Sequence, residues 1–216
     1  MLICGMDEVG RASFAGPLVA AAVIPKSRVS IRQIKTVLGK ELRDSKKLSK
    51  LQRRWVIEKV TPLVRWKVTA ITVEEINAYG IGWANQEIFR RLARMLPAKR
   101  YVVDGNMKFG PGFETLKSKI KADDKVPQVM LASVFAKFHR DMLLAQMAKE
   151  FPVYGWERNA GYGTKFHRQA ILKHGICVYH RLLFVRTTLY PKIDKSKRKR
   201  DNKGDGRSKT GTKLSA

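Results

Sequence analysis

Carboxylates are the minority charge in this chain, 18 Asp and Glu against 44 Lys and Arg. Those set in apolar or glycine-flanked surroundings therefore call for an explanation. Asp7-Glu8 lies between a short apolar run and the turn Gly10-Arg11. Asp104 closes the run Arg100-Tyr101-Val102-Val103 and is followed by Gly105-Asn106. Asp123-Asp124 stands just ahead of another apolar stretch, flanked by Lys121 and Lys125. The three acidic sites fall at strand ends or in the loops beside them, and if those strands are neighbours the carboxylates converge. Converged carboxylates repel one another unless a cation fills the site. Hard cations such as Mg²⁺ or Mn²⁺ prefer oxygen ligands, and take few protein carboxylates together with phosphate oxygens. Two such ions about 4 Å apart activate water and stabilise a leaving oxygen in phosphodiester cleavage. Taken singly, each acid is better explained as a turn cap or a partner for a nearby lysine, and spacing alone does not establish convergence.

The elements that must position these acids read as follows. Leu2 to Gly5 forms a short buried strand ending just before Asp7 and Glu8, and Leu18 to Pro25 a second strand. A basic, polar stretch runs through Arg43-Asp44-Ser45-Lys46-Lys47. Ser49 opens a helix, with Gln52 completing a capping box and Leu51, Trp55 and Val56 beginning its apolar face. Val64 to Val73 is rich in β-branched residues and reads as a strand. Ile81 to Met95 carries Ile81, Ala84, Ile88, Leu92 and Met95 at helical spacing. Arg100 to Asp104 is a strand, Asn106 to Gly112 a loop, and Val126 to Leu131 an extended apolar run. A helix follows from Ala132 to Phe151, with Val134, Phe138, Met142 and Ala145 on one face. Pro152 to Gly163 is a loop, after which Thr164 caps a helix that Gly175 stops. The expected architecture is an α/β domain with a mixed sheet and a more helical C-terminal part. It should span residues 1–190, with a disordered basic tail over 191–216.

Composition narrows the partners. The net charge of +26 is not the tail's alone. From Lys192 onward there are ten basic and three acidic residues, which leaves +19 on the remainder. A field of that sign and size attracts polyanions, nucleic acid above all. Cys4 and Cys177 show no CxxC spacing, which argues against zinc, and both read as buried thiols suited to a reducing compartment. The apolar N-terminal stretch is too short for a signal peptide, and no run approaches a membrane span. A cytoplasmic monomer is the expectation.

A series of motifs, in order, resembles the ribonuclease HII family. Gly5-Met6-Asp7-Glu8-Val9-Gly10-Arg11 continues to Ala15-Gly16-Pro17-Leu18-Val19. Asp44-Ser45-Lys46-Lys47-Leu48 and Val103-Asp104-Gly105-Asn106 follow. Then come Ala122-Asp123-Asp124-Lys125-Val126-Pro127, Ala132-Ser133-Val134-Phe135-Ala136-Lys137 with Arg140-Asp141, Gly161-Tyr162-Gly163-Thr164, and His180-Arg181. Together they span roughly residues 2 to 185. The resemblance implies a ribonuclease H-like mixed sheet flanked by helices, with a helical C-terminal extension. It also implies a four-carboxylate site of Asp7, Glu8, Asp104 and Asp123, binding Mg²⁺ or Mn²⁺. Asp124 fills the family's variable position, and Asp141 fits a helix-surface ion pair better than a fifth ligand.

The same resemblance implies how the duplex is read. Its 2′-OH is the one group at each sugar that separates RNA from DNA. The turn Gly10-Arg11-Ala12 is expected to approach the ribose, and Tyr162 to stack on the sugar beyond. Lys46 is expected at a phosphate near the cut, with Arg11, Lys137, Arg140 and Arg181 as further phosphate ligands. The turn departs from the family's Gly-Arg-Gly at Ala12. A methyl there disfavours positive φ, so recognition survives only if position 12 keeps a negative one. Asn159-Ala160 replaces a usual basic pair, with modest effect. The activity implied is hydrolysis of the RNA strand of RNA–DNA hybrids and cutting 5′ to ribonucleotides embedded in duplex DNA. A hybrid-only activity like that of ribonuclease HIII and an inactive nucleic-acid-binding protein are the alternatives. The four intact acids argue against the second, since binding a polyanion gains nothing from negative charge at the contact.

Overall fold

The computed structural model describes residues 3–39 and 48–190. The Asp44–Lys47 motif and the expected tail over 191–216 lie outside them.

Five strands form one sheet in the order β3-β2-β1-β4-β5. They are β1 (Cys4–Val9), β2 (Leu18–Pro25), β3 (Val64–Ile71), β4 (Tyr101–Asp104) and β5 (Leu116–Lys119). β2 pairs antiparallel with both β1 and β3, while β4 runs parallel to β1 and β5 parallel to β4. All eight residues of β2 are buried, because both faces of this strand are covered. Leu18, Ala20, Ala22 and Ile24 point to one face and join Ala84, Ile88, Phe89 and Leu92 of helix α3 (Val73–Met95). Ala21 and Val23 point to the other and meet Leu131, Val134 and Phe135 of helix α5 (Pro127–Glu150). α1 (Ile31–Leu38) and α2 (Lys50–Val60) pack on that second face. α5 lies so close to β1 that a Cβ on Gly5 would stand 2.2 Å from the Gln128 carbonyl carbon. Only glycine permits that approach.

Beyond α5 the chain forms α6 (Trp156–Asn159), α7 (Lys165–His174) and α8 (Leu182–Leu189). Tyr154, Trp156, Ala170, Ile171 and Val185 make a third core with Leu144 and Ala148 of α5 and with Phe14 and Ala15. The segment after β1 is stitched to this part: Phe14 and Ala15 N–H donate to the Gly161 carbonyl, and Gly16 N–H to that of Tyr179.

Several expectations change. β1 runs through Asp7 and Glu8 rather than ending before them, because Asp7 pairs with Ala21 and Glu8 with Ala20 of β2. β3 stops at Ile71, since Thr72 caps α3 through the backbone N–H of Glu75 and Val73 is already helical. α3 therefore starts earlier than Ile81 and bends at Gly80, where φ is 82°. The run Val126–Leu131 is not extended: Pro127 takes the first turn of α5, a position where its missing N–H costs nothing. The capping box of α2 forms as expected, but the helix buries Arg53, Val56 and Val60, leaving Leu51 79% exposed and Trp55 at the surface. On α5, Val134 is buried as expected, whereas Met142 is 51% exposed and the inward positions are Arg140, Leu144 and Ala148.

Candidate active site

The parallel pairing of β1 and β4 ends at Met6 and Val103. One residue further along each strand stand Asp7 and Asp104, on chains about 4.8 Å apart. Asp7 is 7% exposed. Its carboxyl sits well above the usual carboxylate range, through burial first and then the charges of Glu8 and Asp104. Hydrogen bonds from Ser133 of α5 and from the Glu8 N–H, the latter at 2.8 Å, act in the opposite direction. Burial likewise raises Glu8 to about 7; Arg11 opposes this and Asp104 adds to it. Three carboxylates are thus coupled, and a cation would relieve them.

Asp123 lies in a four-residue helix, α4 (Ala122–Lys125), not at a strand end or in a loop. Asp104 Oδ1 accepts from the N–H of Ala122 at 2.7 Å and of Asp123 at 3.3 Å, tying α4 to the end of β4. Asp123 is buried and Asp124 exposed. The candidate ligands are all oxygen, Asp7, Glu8 and Asp104 repel one another, and Glu8 lines a cavity of about 230 Å³ with Arg53, Ser133, Lys137 and Tyr162. Among the described residues no three His, Cys, Asp or Glu side chains form a ready-made metal cage. An open arrangement suits hard divalent cations whose remaining ligands are water and substrate phosphate. Asp141 takes the ion-pair role expected of it, accepting from Arg53 at 2.9 Å and Lys137 at 2.6 Å.

The turn after β1 places Arg11 and Ala12 at the surface and buries Gly10, whose φ is 92°. A Cβ on Gly10 would meet Arg140 Nε at 2.2 Å, so both the conformation and the space demand glycine. Ala12 is absent from the positive-φ residues, which outside glycine are Arg28, Lys121 and Ala160 among those described. The condition for tolerating its methyl is therefore met.

Arg140 and Arg181 do not face a phosphate. Both are fully buried, and their partners are oxygens of the protein itself. Arg181 donates to the carbonyls of Gly10 at 2.7 Å, Arg11 at 3.1 Å and Gly16 at 2.9 Å. Arg140 donates to the carbonyls of Pro17, Ala15 and Ala160 and to Ser13 Oγ, at 2.8–3.1 Å. Burial, and next the charge of Arg140, draws Arg181 down to about 9, which still leaves it a cation at neutral pH. Together they brace the turn from beneath and join it to the loop of Tyr162. That ring lines the cavity beside Glu8, with the Arg140 guanidinium 5.7 Å from its centre. Lys46 lies outside the described residues. Sequence reasoning missed Ser133 and Arg53, although both fall in or beside quoted motifs.

Comparison with known proteins bears on the family and the fold. A sequence model of the family Ribonuclease HII matches residues 4–187. A Ribonuclease HII from Rickettsia akari is 39% identical over 185 residues, 85% of this chain and 91% of that protein. The solved PCNA:RNase HII complex from Archaeoglobus fulgidus superposes with a TM-score of 0.71 at 24% identity, covering 84% of this chain and 94% of that one. Bst-RNase HIII in complex with Mn²⁺ has a TM-score of 0.63 at 18% identity, covering 91% and 71%.

Proposed function

The chain belongs to the ribonuclease HII family of metal-dependent endoribonucleases, and on that premise we propose that it cuts the RNA strand of RNA–DNA hybrids and also the phosphodiester 5′ to a single ribonucleotide in duplex DNA. The products carry 3′-OH and 5′-phosphate ends. The observation that carries the reading is the trio of buried Asp7 with half-buried Glu8 and Asp104, whose charges act on one another, Glu8 lining a cavity beside Tyr162. Asp7 and Asp104 would hold the metals, with Glu8 and Asp123 completing the set of ligands. Two divalent cations, Mg²⁺ or Mn²⁺, supply activation of the attacking water and charge neutralisation at the leaving oxygen. Bst-RNase HIII, a protein of similar fold, was solved with Mn²⁺.

The Gly10-Arg11-Ala12 turn reads the ribose, held in shape by Arg181 on its carbonyls, and Tyr162 stacks on the next sugar. Lys137, on the wall of the same cavity, and Arg11 at the surface are placed to meet backbone phosphates. Such contacts position the duplex without selecting sequence. The free thiols of Cys4 and Cys177 suit a reducing, cytoplasmic setting.

The test is a cleavage assay on a DNA duplex carrying one ribonucleotide, beside an all-RNA–DNA hybrid, in Mg²⁺ and then Mn²⁺. Cutting of both, 5′ to the lone ribonucleotide, is expected. Cutting of the hybrid alone would replace this reading with the hybrid-only activity. Tight binding without cutting of either would leave a binding protein.

A further inference from the structure

Two histidines outside the carboxylate site form a buried chain that ends on the backbone of Tyr162. His167, on the first turn of α7, is fully buried, and His180 is 1% exposed. His167 Nδ1 stands 3.0 Å from the Tyr162 carbonyl. A carbonyl oxygen only accepts, so Nδ1 carries the hydrogen and Nε2 is bare. That bare nitrogen accepts from Trp156 Nε1 at 3.0 Å and faces His180 Nε2 at 3.2 Å. On the far ring, His180 Nδ1 accepts from the Cys177 N–H at 3.0 Å, so its hydrogen is on Nε2, pointing at His167. This pair of neutral tautomers sets no N–H against another, with Trp156 and His180 sharing the one lone pair of His167 Nε2; any other leaves N–H against N–H. The chain runs Cys177, His180, His167, Tyr162, and each ring is aligned by the next.

We infer that His167, aligned by His180, is a positioning residue that fixes the Tyr162 peptide and so the direction in which the tyrosine ring enters the cavity beside Glu8. Tyr162 has local ties too: its N–H donates to the Asn159 carbonyl at 2.9 Å, and its own carbonyl accepts from Thr164 N–H at 2.8 Å. Those bonds link the loop only to itself. Phe14 and Ala15 tie the neighbouring Gly161 carbonyl to the third core; His167, held from two sides by Trp156 and His180, makes the corresponding tie at the Tyr162 carbonyl itself. Gly161 and Gly163 stand on either side of the tyrosine, and glycine allows wide backbone freedom, so the plane of the peptide between Tyr162 and Gly163 depends on the bonds that its carbonyl accepts. A small error in ring placement is costly, since displacement by about 1 Å can lower a rate by about 100-fold.

The inference rests on the proposed role of Tyr162, and the experiment separates the two. Steady-state cleavage of the single-ribonucleotide duplex is measured for Tyr162→Ala, His167→Leu and the double variant. Thermal melts identify the variants that fold. Tyr162→Ala and His167→Leu are each expected to lose about 10- to 100-fold in kcat/KM, with the same division between kcat and KM. The double variant should be no worse than Tyr162→Ala alone. His167→Asn, whose amide can still donate to the Tyr162 carbonyl, should recover most of the loss. Losses that multiply in the double variant, with a division unlike that of Tyr162→Ala, would overturn the positioning role. Unchanged cleavage by Tyr162→Ala would remove the reading of Tyr162 on which it stands. If His167→Leu does not fold, His180→Asn carries the same cycle: it keeps an acceptor for Cys177 N–H and loses the donor to His167.

Discussion

At the ends of β1 and β4, Asp7, Glu8 and Asp104 are crowded into a region that raises the pKa of the first two. Beneath the turn that follows β1, Arg140 and Arg181, distant in sequence, are buried close enough to feel each other's charge. Yet the guanidiniums donate to seven protein oxygens between them, whereas the carboxylates, though they accept from Ser133 and from backbone N–H groups, face one another's charge. Guanidinium offers several donors in a fixed fork, and a turn with few ladder bonds offers many carbonyls. Carboxylates only accept, and three together exceed the donors that Ser133 and nearby amides supply. Charge spread over many protein acceptors builds the scaffold, and charge set against like charge suits a cationic ligand.

Neutralising one acid gives the largest separation of the two regions. Asp7→Asn keeps the shape of the side chain and removes a repulsive charge. On the proposed role of Asp7 as a metal ligand, cleavage should fall by about 10³-fold or more. The melting temperature of the metal-free protein at pH 8 should nonetheless rise, because a charge held at a raised pKa destabilises the fold once ionised. A fall in both would mean that Asp7 serves structure, and the contrast with the arginines would collapse.

Arg140→Met should behave in the reverse order, with stability lost first. Four acceptors, on Ser13, Ala15, Pro17 and Ala160, lose their donor together. The cost expected is about 3–5 kcal/mol, seen in urea denaturation. Arg140→Lys should recover little, because one ammonium cannot span the same oxygens. A variant of wild-type stability with weakened duplex binding would restore the phosphate role that the motif order suggested.

Whether a residue was legible in the sequence follows the same division. The acids stood out because they are rare and lie beside apolar runs, and β2 matched its eight-residue run end to end because both its faces are buried. Caps at Ser49 and Thr164 were legible as local chemistry. The same pattern at Ser30 and Gln33 opens α1, but its polar, basic surroundings hid it. β5 is four residues long with two lysines, and no apolar period marks it. The start of α5 was misread because a continuous apolar run fits a buried helix as well as a strand, and Pro127 was the signal that separates them. The arginines were misjudged for a different reason. Basic residues in a basic chain look like ligands for phosphate, and their carbonyl partners are as far off in sequence as Gly10 is from Arg181. The imidazole chain shares that difficulty, since only the fold brings His180 to His167.

Metal addition tests the tension at the carboxylates directly. Between the ordinary glutamate value and about 7, folded Glu8 keeps a proton that the unfolded chain releases. Stability of the metal-free protein from this group is thus present at low pH and lost as pH rises through about 7. Magnesium binds the ionised form, so its stabilisation should grow over the same window. Thermal melts with and without millimolar MgCl₂ should differ by about 1–3 kcal/mol in stability at pH 8, and hardly at all at pH 5. An equal shift at both pH values would place the ion elsewhere.

The smallest effect expected is at Ala12, where the chain departs from its family's glycine. The residue is exposed and avoids the left-handed region, so its methyl adds no strain, while glycine would add freedom to the unfolded chain. Ala12→Gly should lower stability by about 0.5–1 kcal/mol and leave the ratio of single-ribonucleotide to hybrid cleavage within about twofold. A tenfold rise in that ratio would show that the methyl stands in the path of the ribose. The rigid bracing by Arg181 would then hold the turn in a shape favouring long hybrids, and the specificity of the chain would lie in one methyl group.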